Sequence, residues 1–404
     1  MIFVSAEDQI KIDTIAKITQ GKLRRDLAQK ILGISESTLR RWIRKFERQG
    51  VVFIRHGNKD RRPVNKVADD VKERVLNLIR ERYYKFNILH LREKLEEVEG
   101  LKINREKLEE VEGLKINRET LRRWCHELGM VKRSKRHHSK PRYYRERRAQ
   151  RGLMIQMDGS HHVWFGEKKS VLIAAIDDAT SDLHHAEFFT SEDTTNCMHV
   201  VQRIVEKRGI FQVLYVDRAG IFGGTKRQQF AQMKRACEEI GIHLLYAASP
   251  QAKGRVERLF QTLQDRLIAE MHLRGITTFQ EANAYLQNEF IPHQWQKKFT
   301  LPPENPEDAF IPWNPRSDLH EIFCFKEYRS IQKDHTVSFN GEFYAIKAED
   351  NISIAGHLLE IREYRNGTLQ GFYRNRPVVM RPIKKGLQKL PWYADRNRSK
   401  SLGN

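Results

Sequence analysis

The sequence predicts a multidomain protein with all-α helix-turn-helix modules first, an α/β core with a mixed sheet next, and a small β-barrel last. Three observations predict this order. Apolar residues have helical spacing in the first fifty residues, β-rich runs alternate with helical runs from residue 152, and short β-rich runs flank Asn-Gly turns beyond residue 320. The 404 residues suffice for several domains that each bury a core.

The charge balance indicates a polyanionic partner. The formal net charge is +21, and such a field attracts phosphate backbones and releases their counterions. The four cysteines lie far apart without a CxxC pair, which argues against a disulfide framework or a structural zinc site. Because we find neither a signal peptide nor an apolar run long enough to cross a bilayer, we expect an intracellular, soluble protein.

Residues 1–56 are predicted to form a helix-turn-helix DNA-binding domain. The segment KLRRDLAQKILG has apolar residues at helical spacing, Gly33 supplies a turn, and Ser35 is the predicted N-cap of ISESTLRRWIRKFERQG. The apolar residues of this second helix are expected to face inward, which leaves four basic residues for DNA: Arg40, Arg41, Arg44 and Lys45. The alternative is an ordinary helical hairpin with a basic, solvated face.

Residues 64–130 are predicted to form a second helix-turn-helix domain. ADDVKERVLNLIRERYY has the pattern of an amphipathic helix, and INRETLRRW repeats the pattern of ISESTLRRW. Asn117 is the predicted N-cap of this last helix, and Arg122 and Arg123 are its candidate DNA contacts.

The second domain also contains an exact duplication. REKLEEVEGLKIN occurs at Arg92–Asn104 and again at Arg105–Asn117 without a difference. Old structural repeats diverge at their surface positions, so identity of this length indicates a recent in-frame duplication or a sequence-assembly error. In either case it adds residues before the recognition helix of the second module.

Residues 131–151 are predicted to be a basic linker that lies along DNA. Ten of the twenty residues from Lys132 to Arg151 are Lys or Arg, against one Glu, and two tyrosines are interleaved. Arg142 and Arg145 are the candidate DNA contacts. The alternative is a disordered tether that binds nothing.

Residues 152–300 are predicted to form the α/β core. LMIQMD, SVLIAAID and AEFF have the composition of three consecutive strands. A helix at residues 194–207, the strand FQVLYVD, a helix at residues 228–240, the strand HLLYA and a long helix through GRVERLFQTLQDRL complete the pattern. This order predicts a mixed sheet with helices packed against it.

The remaining residues are predicted to form a linker, a barrel and a tail. Residues 301–320 are rich in proline, residues 321–385 alternate short β-rich runs with turns, and residues 386–404 are basic. The barrel has two candidate roles that the sequence does not separate: contact with DNA and contact between subunits.

Three acidic residues form the candidate catalytic and metal-binding site. Asp158 ends the first predicted strand, Asp217 ends the fourth, and Glu257 lies early on the long helix. If the first and fourth strands are neighbours, both aspartates lie at one edge of the sheet and the helix adds the third carboxylate. Carboxylates suit Mg²⁺ or Mn²⁺, and two such ions support displacement at a phosphodiester by water or a DNA 3′-hydroxyl. Taken alone, Glu257 has the alternative explanation of a solvated partner for nearby arginines.

Other residues near this site have candidate roles. His162 and Trp164 either contact DNA or a ligand, or pack at the strand end. The basic residues around the first turn of the long helix are candidate phosphate contacts: Lys253, Arg255 and Arg258.

Four further polar residues are predicted to be structural. Asp177 and Asp178 follow a strand in the sequence DDAT, which is typical of a capped turn. His184 and His185 have no partner at metal-binding spacing, and we expect them at the surface.

Four motifs together resemble one enzyme family: QMDGSHHVWF, IDDAT, YVDRAGIF and SPQAKGRVERLFQTLQDRL. The chain is similar over nearly its whole length to transposases of the DDE type, most closely the ISNCY group of bacterial insertion sequences. The resemblance implies a retroviral-integrase-like core of the RNase H superfamily, in which Asp158, Asp217 and Glu257 match the metal-binding triad. The exact duplication, and a longer interval from Asp217 to Glu257 than in the archetypal triad, depart from the family pattern.

The resemblance also implies an activity, ions and partners. A member of this family is expected to bind double-stranded DNA at the terminal inverted repeats, cut it with two Mg²⁺ or Mn²⁺ ions, and join the ends to target DNA. Pairing of two ends implies a homodimer or a higher oligomer, and no membrane. We expect a cytoplasmic, nucleoid-associated bacterial protein.

Two other functions remain open at this stage. One is a catalytically silent, transposase-derived regulator that binds DNA without cutting it. The other is an enzyme that cleaves RNA in RNA–DNA hybrids, which would not need two helix-turn-helix modules.

Overall fold

The computed structural model describes residues 6–54, 67–101, 116–130, 145–217, 226–247, 254–314, 318–347 and 353–384; the side chains of residues 226–231 are not described. The chain divides into two compact units, Met1–Val75 and Leu76–Asn404. Among the described residues, none of the helices has both the length and the apolar character of a membrane span.

Residues 6–54 of the first unit form three helices and a short 3₁₀ turn: α1 (Ala6–Thr19), α2 (Arg25–Leu32), α3 (Glu36–Gln49) and Gly50–Ile54. Its core brings together Ile15 of α1, Ala28 of α2, and Leu39 and Ile43 of α3. The sequence predicted α2 and α3 but not α1, because the apolar spacing of α1 is irregular. The predicted inward orientation of the apolar residues of α3 is confirmed: Leu39 and Ile43 are buried, and Phe46 packs against them.

The turn between α2 and α3 has the predicted chemistry. Gly33 ends α2 with φ of 63°, a left-handed conformation that glycine adopts without strain, and its N–H donates to the Gln29 carbonyl. Ser35 then caps α3 by accepting a hydrogen bond from the Thr38 backbone N–H. These two residues fix the angle at which α3 leaves α2.

Three helices follow: α4 (Asp69–Glu81), α5 (Ile88–Glu97) and α6 (Arg118–Glu127). Asn117 caps α6 as predicted, and Asn87 caps α5, which the sequence analysis did not identify as a helix. Helices α5 and α6 are in contact. The duplicated stretch lies mostly outside the described residues; of its first copy, residues 92–101 are described and 92–97 belong to α5.

The core is a mixed five-stranded sheet, as predicted. The strands are β1 (Ile155–His162), β2 (Ser170–Asp177), β3 (Leu183–Phe189), β4 (Val213–Val216) and β5 (His243–Tyr246), in the order β3-β2-β1-β4-β5. The pairs β3–β2 and β2–β1 are antiparallel, whereas β1–β4 and β4–β5 are parallel. The helices of the core are α7 (Thr194–Arg208), α8 (Lys226–Glu239), α9 (Gly254–Leu273) and α10 (Phe279–Tyr285), and α10 continues through a π-helical segment (Leu286–Trp295) into α11 (Gln296–Phe299).

Two apolar layers cover the two faces of this sheet. Ile155 and Met157 of β1 belong to the layer of α7 and α8. Leu172 and Ala174 of β2 belong to the opposite layer, with the apolar seam of α9. Every residue of β2 is buried because both of its faces are covered, which explains its nearly continuous apolar sequence.

The predicted linker after residue 300 is packed against the core along its described part. Residues 301–314 form single β-bridges to the core at Arg151↔Asp308 and Ile210↔Ile311. The Ile210 and Ile311 backbones exchange hydrogen bonds of 2.7 and 2.8 Å. The expectation of a plain connector is therefore incomplete, because composition does not reveal these backbone partners.

A nearly closed, barrel-like sheet of six strands follows a short helix, α12 (Leu319–Ile322). Its order is β6-β9-β10-β11-β8-β7, and the strands are β6 (Phe325–Ser330), β7 (Thr336–Phe339), β8 (Glu342–Lys347), β9 (Leu358–Glu363), β10 (Leu369–Tyr373) and β11 (Arg376–Ile383). Helix α8 holds this module: Arg235 donates to the Ile322 and Cys324 carbonyls, and Glu239 pairs with Lys326 at 2.9 Å.

Buried charges join α5 to α9. Glu270 is fully buried, and its carboxylate pairs with His90 at 2.7 Å, with Lys94 at 2.6 Å and with Arg274. Burial alone would raise the pKa of Glu270, but the hydrogen bonds from His90 and Lys94 hold its pKa at about 2. The carboxylate is thus ionised throughout the neutral range.

Gly209 marks a site where only glycine fits. Its φ is 104°, and a Cβ there would lie 2.4 Å from the Ile311 carbonyl oxygen. We predict that Gly209→Ala lowers the free energy of unfolding by about 3 kcal/mol, through backbone strain and displacement of the bridge. Gly275→Ala is the matched control: φ is 65° but a Cβ meets nothing, so the loss should be about 1 kcal/mol. Equal losses by denaturant titration would contradict the packed connector.

Glu270 makes stability depend on acid pH. Because its folded pKa lies below the ordinary 4.5, its contribution is present above that value and is lost as pH falls toward 2. We predict that Glu270→Gln costs about 3 kcal/mol at pH 7 and progressively less between pH 4.5 and 2. Glu289→Gln, which removes an exposed partner of the same Arg274, should cost under about 1 kcal/mol. A pH-independent difference between Glu270→Gln and the wild type would disprove this assignment.

Candidate functional site

The strand register brings two of the candidate carboxylates to one level of the sheet. Strands β1 and β4 are parallel neighbours, with Ile155 opposite Leu214 and Gln156 opposite Tyr215. Continuing this register by two residues sets Asp158 opposite Asp217. Neighbouring strands are about 4.8 Å apart, so these two positions are adjacent.

Both aspartates belong to the face of the sheet that α9 covers. Asp158 pairs with Ala174, whose side chain packs in the layer of α9. Val216 packs in the opposite layer, with α7 and α8, and alternation along β4 turns Asp217 away from it. The two carboxylates therefore share a face.

Two polar anchors align α9 with β1. Near the helix start, Arg255 donates to Asp178 at 2.8 Å, and Asp178 also accepts from Gln156 of β1 at 2.6 Å. Nine residues further along the helix, Gln264 donates to the Ser160 hydroxyl at 3.3 Å.

Glu257 lies between these anchors on the helix, as Asp158 does on the strand. Glu257 precedes Gln264 by two helical turns, so both lie on the same side of α9. This side is the one that approaches β1 at Ser160. The three candidate residues therefore occupy one region of the α9 face of the sheet.

The carboxylates do not form a finished ligand set in this conformation. Within the described part of the chain, which includes all three residues, no group of three His, Cys, Asp or Glu side chains is arranged to hold a metal ion. Glu257 is exposed, whereas Asp158 and Asp217 are half-buried. The donor chemistry and the shared face fit a hard divalent ion.

Arg145 and Arg255 have an internal partner, and their contacts with DNA stay predictions. Both pair with Asp178, a fully buried carboxylate. A buried charge requires compensation, and these guanidiniums provide it. Burial lowers the pKa of Arg255, and the charge of Asp178 opposes this shift.

The other predicted contacts stay predictions. Arg258 is exposed on the first turn of α9, and Arg122 and Arg123 are exposed on α6. Arg142 and Lys253 lie outside the described residues.

Asp177 caps the turn after β2, as the sequence predicted. It accepts hydrogen bonds from the Ala179, Thr180 and Gly152 backbone N–H groups at 2.8–2.9 Å. Burial alone would raise its pKa, but His184 and these backbone donors keep the pKa below the ordinary value. Asp178 is more than a turn residue, because it joins separate segments of the core.

The prediction that His184 and His185 lie at the surface is wrong. Both are buried, at 4% and 2% exposure. His184 lies 3.4 Å from Asp177, and His185 lies 3.1 Å from Glu187, which also contacts His199. Sequence spacing could not reveal this, because the pairing of β3 with β2 determines the burial.

Trp164 has a packing role at the end of β1. It is buried, its indole N–H donates to the Ser160 carbonyl at 2.9 Å, and its ring contacts Phe188. His162 is half-buried and contacts the Trp164 ring edge to face. Of the alternatives for Trp164, the structure supports packing.

Helix α3 presents a basic groove, lined by Ser37, Arg40, Arg41, Arg44, Lys45 and Arg48. The four basic residues predicted to contact DNA are all among its exposed residues. Arg40 also pairs with the exposed Glu36 one turn earlier, a contact that costs little to exchange for a phosphate. Helix α3, with this basic groove on its surface, has the charge and the shape to enter the major groove of DNA.

Comparisons with known proteins agree with this architecture. A family model described as a helix-turn-helix domain matches residues 11–63. A putative transposase, y4bF, from Sinorhizobium fredii is 30% identical over 398 residues, which cover 95% of this chain and 83% of the relative. The transposase for insertion sequence IS1202 from Streptococcus pneumoniae is 33% identical over 299 residues, which cover 67% of this chain and 64% of the relative.

Two similar solved structures are viral. One is the simian T-cell lymphotropic virus intasome in complex with PP2A regulatory subunit B56 gamma, at TM-score 0.33 and 14% identity, covering 65% of this chain and 92% of that one. The other is the HTLV-2 integrase catalytic core domain in complex with magnesium, at TM-score 0.26 and 15% identity. This match covers 35% of this chain and 91% of that one. Because both TM-scores are low, the assignment of this chain to a family rests on the transposase relatives and not on these structures.

The helix-turn-helix domain and the two transposase relatives show that the chain is a DNA-binding protein of the transposase class. The chain belongs to the DDE-type transposases of bacterial insertion sequences.

We predict that removing Arg41 and Arg44 together weakens binding to duplex DNA at least tenfold. The double variant Arg41→Ala/Arg44→Ala should also reduce the slope of log affinity against log salt by about 1 for each lost phosphate contact. Fluorescence anisotropy over a salt series measures both quantities. Lys17→Ala/Lys30→Ala removes the same charge from α1 and α2, so an equal effect of that control would show that net charge alone governs binding.

Proposed function

We propose that this chain cuts and joins DNA at the terminal inverted repeats of its insertion sequence, with Asp158, Asp217 and Glu257 as metal ligands in an RNase H-like core. One observation carries the proposal: the β1–β4 register sets two aspartates, 59 positions apart in sequence, at the same level on one face. Two carboxylates at adjacent positions of a sheet repel each other, and a divalent cation bound by both would relieve that repulsion.

The chemistry follows from the donors. Two Mg²⁺ or Mn²⁺ ions would activate the attacking oxygen and stabilise the leaving oxygen at a DNA phosphate. Asp158 would provide oxygens from β1, Asp217 from the residue that follows β4, and Glu257 from an exposed side chain on α9. Water as nucleophile gives a cut, and a DNA 3′-hydroxyl gives strand transfer.

The basic surfaces provide DNA recognition. The groove of α3 is the proposed contact for base edges and phosphates of the terminal repeat, and Arg122 and Arg123 of α6 are proposed to contact a second part of it. Because joining needs two ends held together, the working form is proposed to be a dimer or a higher oligomer.

A second candidate is a transposase-derived regulator that binds the same DNA without cutting it. The observation in its favour is that the three carboxylates, among the described residues, are not arranged as a metal site. The two functions share the DNA contacts and differ only in the chemistry at the triad.

Charge-neutral substitutions at the triad distinguish the two functions. We predict that Asp158→Asn, Asp217→Asn and Glu257→Gln each reduce Mg²⁺-dependent cutting of terminal-repeat DNA by about a thousandfold or more, with DNA affinity within about threefold of wild type. Asp265→Asn, on the exposed side of the same helix, is the control and should cut normally.

The measurement is the rate of nicking and strand transfer on labelled DNA, with anisotropy for affinity. If the wild type binds these ends and never cuts them with Mg²⁺ or Mn²⁺, the regulator is the correct function. If any triad variant cuts at the wild-type rate, the assignment of that residue fails.

A further inference from the structure

Asp178 collects contacts from three separate parts of the chain. Its carboxylate accepts hydrogen bonds from Gln156 of β1 at 2.6 Å, from Arg255 of α9 at 2.8 Å, and from Arg145 just before the core. The Arg148 backbone N–H donates to its other oxygen at 2.9 Å. The carboxylate is fully buried.

Two of these contacts have a simple relation to the triad. Gln156 precedes Asp158 by two residues on the strand, and Arg255 precedes Glu257 by two residues on the helix. Asp178 is therefore the polar link between the strand that carries one candidate ligand and the helix turn that carries another.

We propose that Asp178 is a positioning residue: it holds the first turn of α9 against β1, so that Glu257 faces the two aspartates. The inference rests on the proposed function for its effect on cutting, but the position of the helix turn is measurable without it. Asp178 itself lies behind Arg255 and Gln156 and acts through them.

Helix α9 needs such an anchor because of where it begins. Its seam of buried apolar residues fixes its packing on the sheet, but Glu257 itself is exposed and Gly254 begins the helix. The first turn of a helix lacks preceding carbonyl partners for its N–H groups, so it frays unless something holds it. The Arg255–Asp178 contact and the Arg255 donation to the Arg145 carbonyl at 2.9 Å provide that restraint.

The contact with Arg145 ties the basic segment into the same restraint. Arg145 lies within the basic segment, residues 131–151, that is predicted to follow DNA, and its guanidinium shares the Asp178 carboxylate with Arg255. The like charges of the two arginines are compatible only because this buried carboxylate lies between them. Loss of the Asp178 charge should therefore loosen both the helix turn and the end of the basic segment.

The test is Asp178→Asn, which keeps the shape and removes the charge. We expect Mn²⁺ affinity, measured by calorimetry on the full chain, to fall about tenfold or more, and cutting at saturating DNA to fall by a similar factor. Hydrogen exchange of the backbone N–H groups at residues 258–261, which donate to the carbonyls of the first turn of α9, should become faster, while DNA affinity stays within about threefold of wild type.

Asp182→Asn is the matched control. Asp182 is also buried and holds Arg151 at 2.9 Å, and its other described side-chain partners, His184 and Gln296, also lie outside α9. This variant should lose stability without changing exchange in the first turn of α9 or the metal dependence of cutting. If both variants give the same pattern, Asp178 has only a general structural role and the inference is overturned.

Arg255→Gln keeps the question answerable if Asp178→Asn folds poorly. Should Asp178 act through Arg255, this variant reproduces the faster exchange, and the double variant is no worse than the more affected single one. Additive effects would overturn the inference. If Asp178→Asn shows the faster exchange but the wild-type chain never cuts DNA, the proposed function alone is overturned. If Asp178→Asn shows normal exchange and normal Mn²⁺ dependence, the inference alone is overturned.

Discussion

The parallel pairing of β1 with β4 is the constraint on which the rest of the structure depends. After the antiparallel strands β2 and β3, this pairing returns the chain to the centre of the sheet beside β1. The completed sheet separates the two apolar layers. Because side chains alternate along a strand, a slip of one residue would turn Asp217 into the layer of α7 and α8. Burial of Leu214 and Val216 in that layer therefore fixes the orientation of Asp217 as well.

Different interactions fix the position and the rotation of α9. Each of its buried apolar residues, such as Val256, Leu263 and Leu267, contributes about 2 kcal/mol by leaving water, so the seam dominates the free energy of packing. An apolar seam tolerates small rotations at little cost, because it has no directional contacts. The hydrogen bonds at Asp178 and Ser160 are individually worth only about 1–3 kcal/mol, but they are directional and define the rotation of α9 about its axis.

Local pattern in the sequence predicted the order of core elements, the three candidate acidic residues and the basic face of α3. The parts that it missed depend on distant partners. His184 and His185 look like surface residues until β3 pairs with β2, and Asp178 looks like a turn residue until β1 and α9 bring Gln156 and Arg255 to it. Helices α1 and α5 were missed because tertiary packing, rather than a clean apolar period, stabilises them. The register that aligns Asp158 with Asp217 is likewise a property of pairing, since spacing along the chain does not determine which strands are neighbours.

The buried charges between α5 and α9 are better explained by orientation than by stability. An apolar cluster of the same volume as His90, Lys94 and Glu270 would stabilise the contact equally well, because desolvation offsets most of the attraction between buried ions. Ions, however, tolerate only one arrangement of the two helices. Helix α9 has 20 residues and carries Glu257 in its first turn and Glu270 in its last part, so it is a rigid rod of about 30 Å. Fixing α5 on this rod therefore fixes the orientation of α5 relative to the helix turn that carries Glu257.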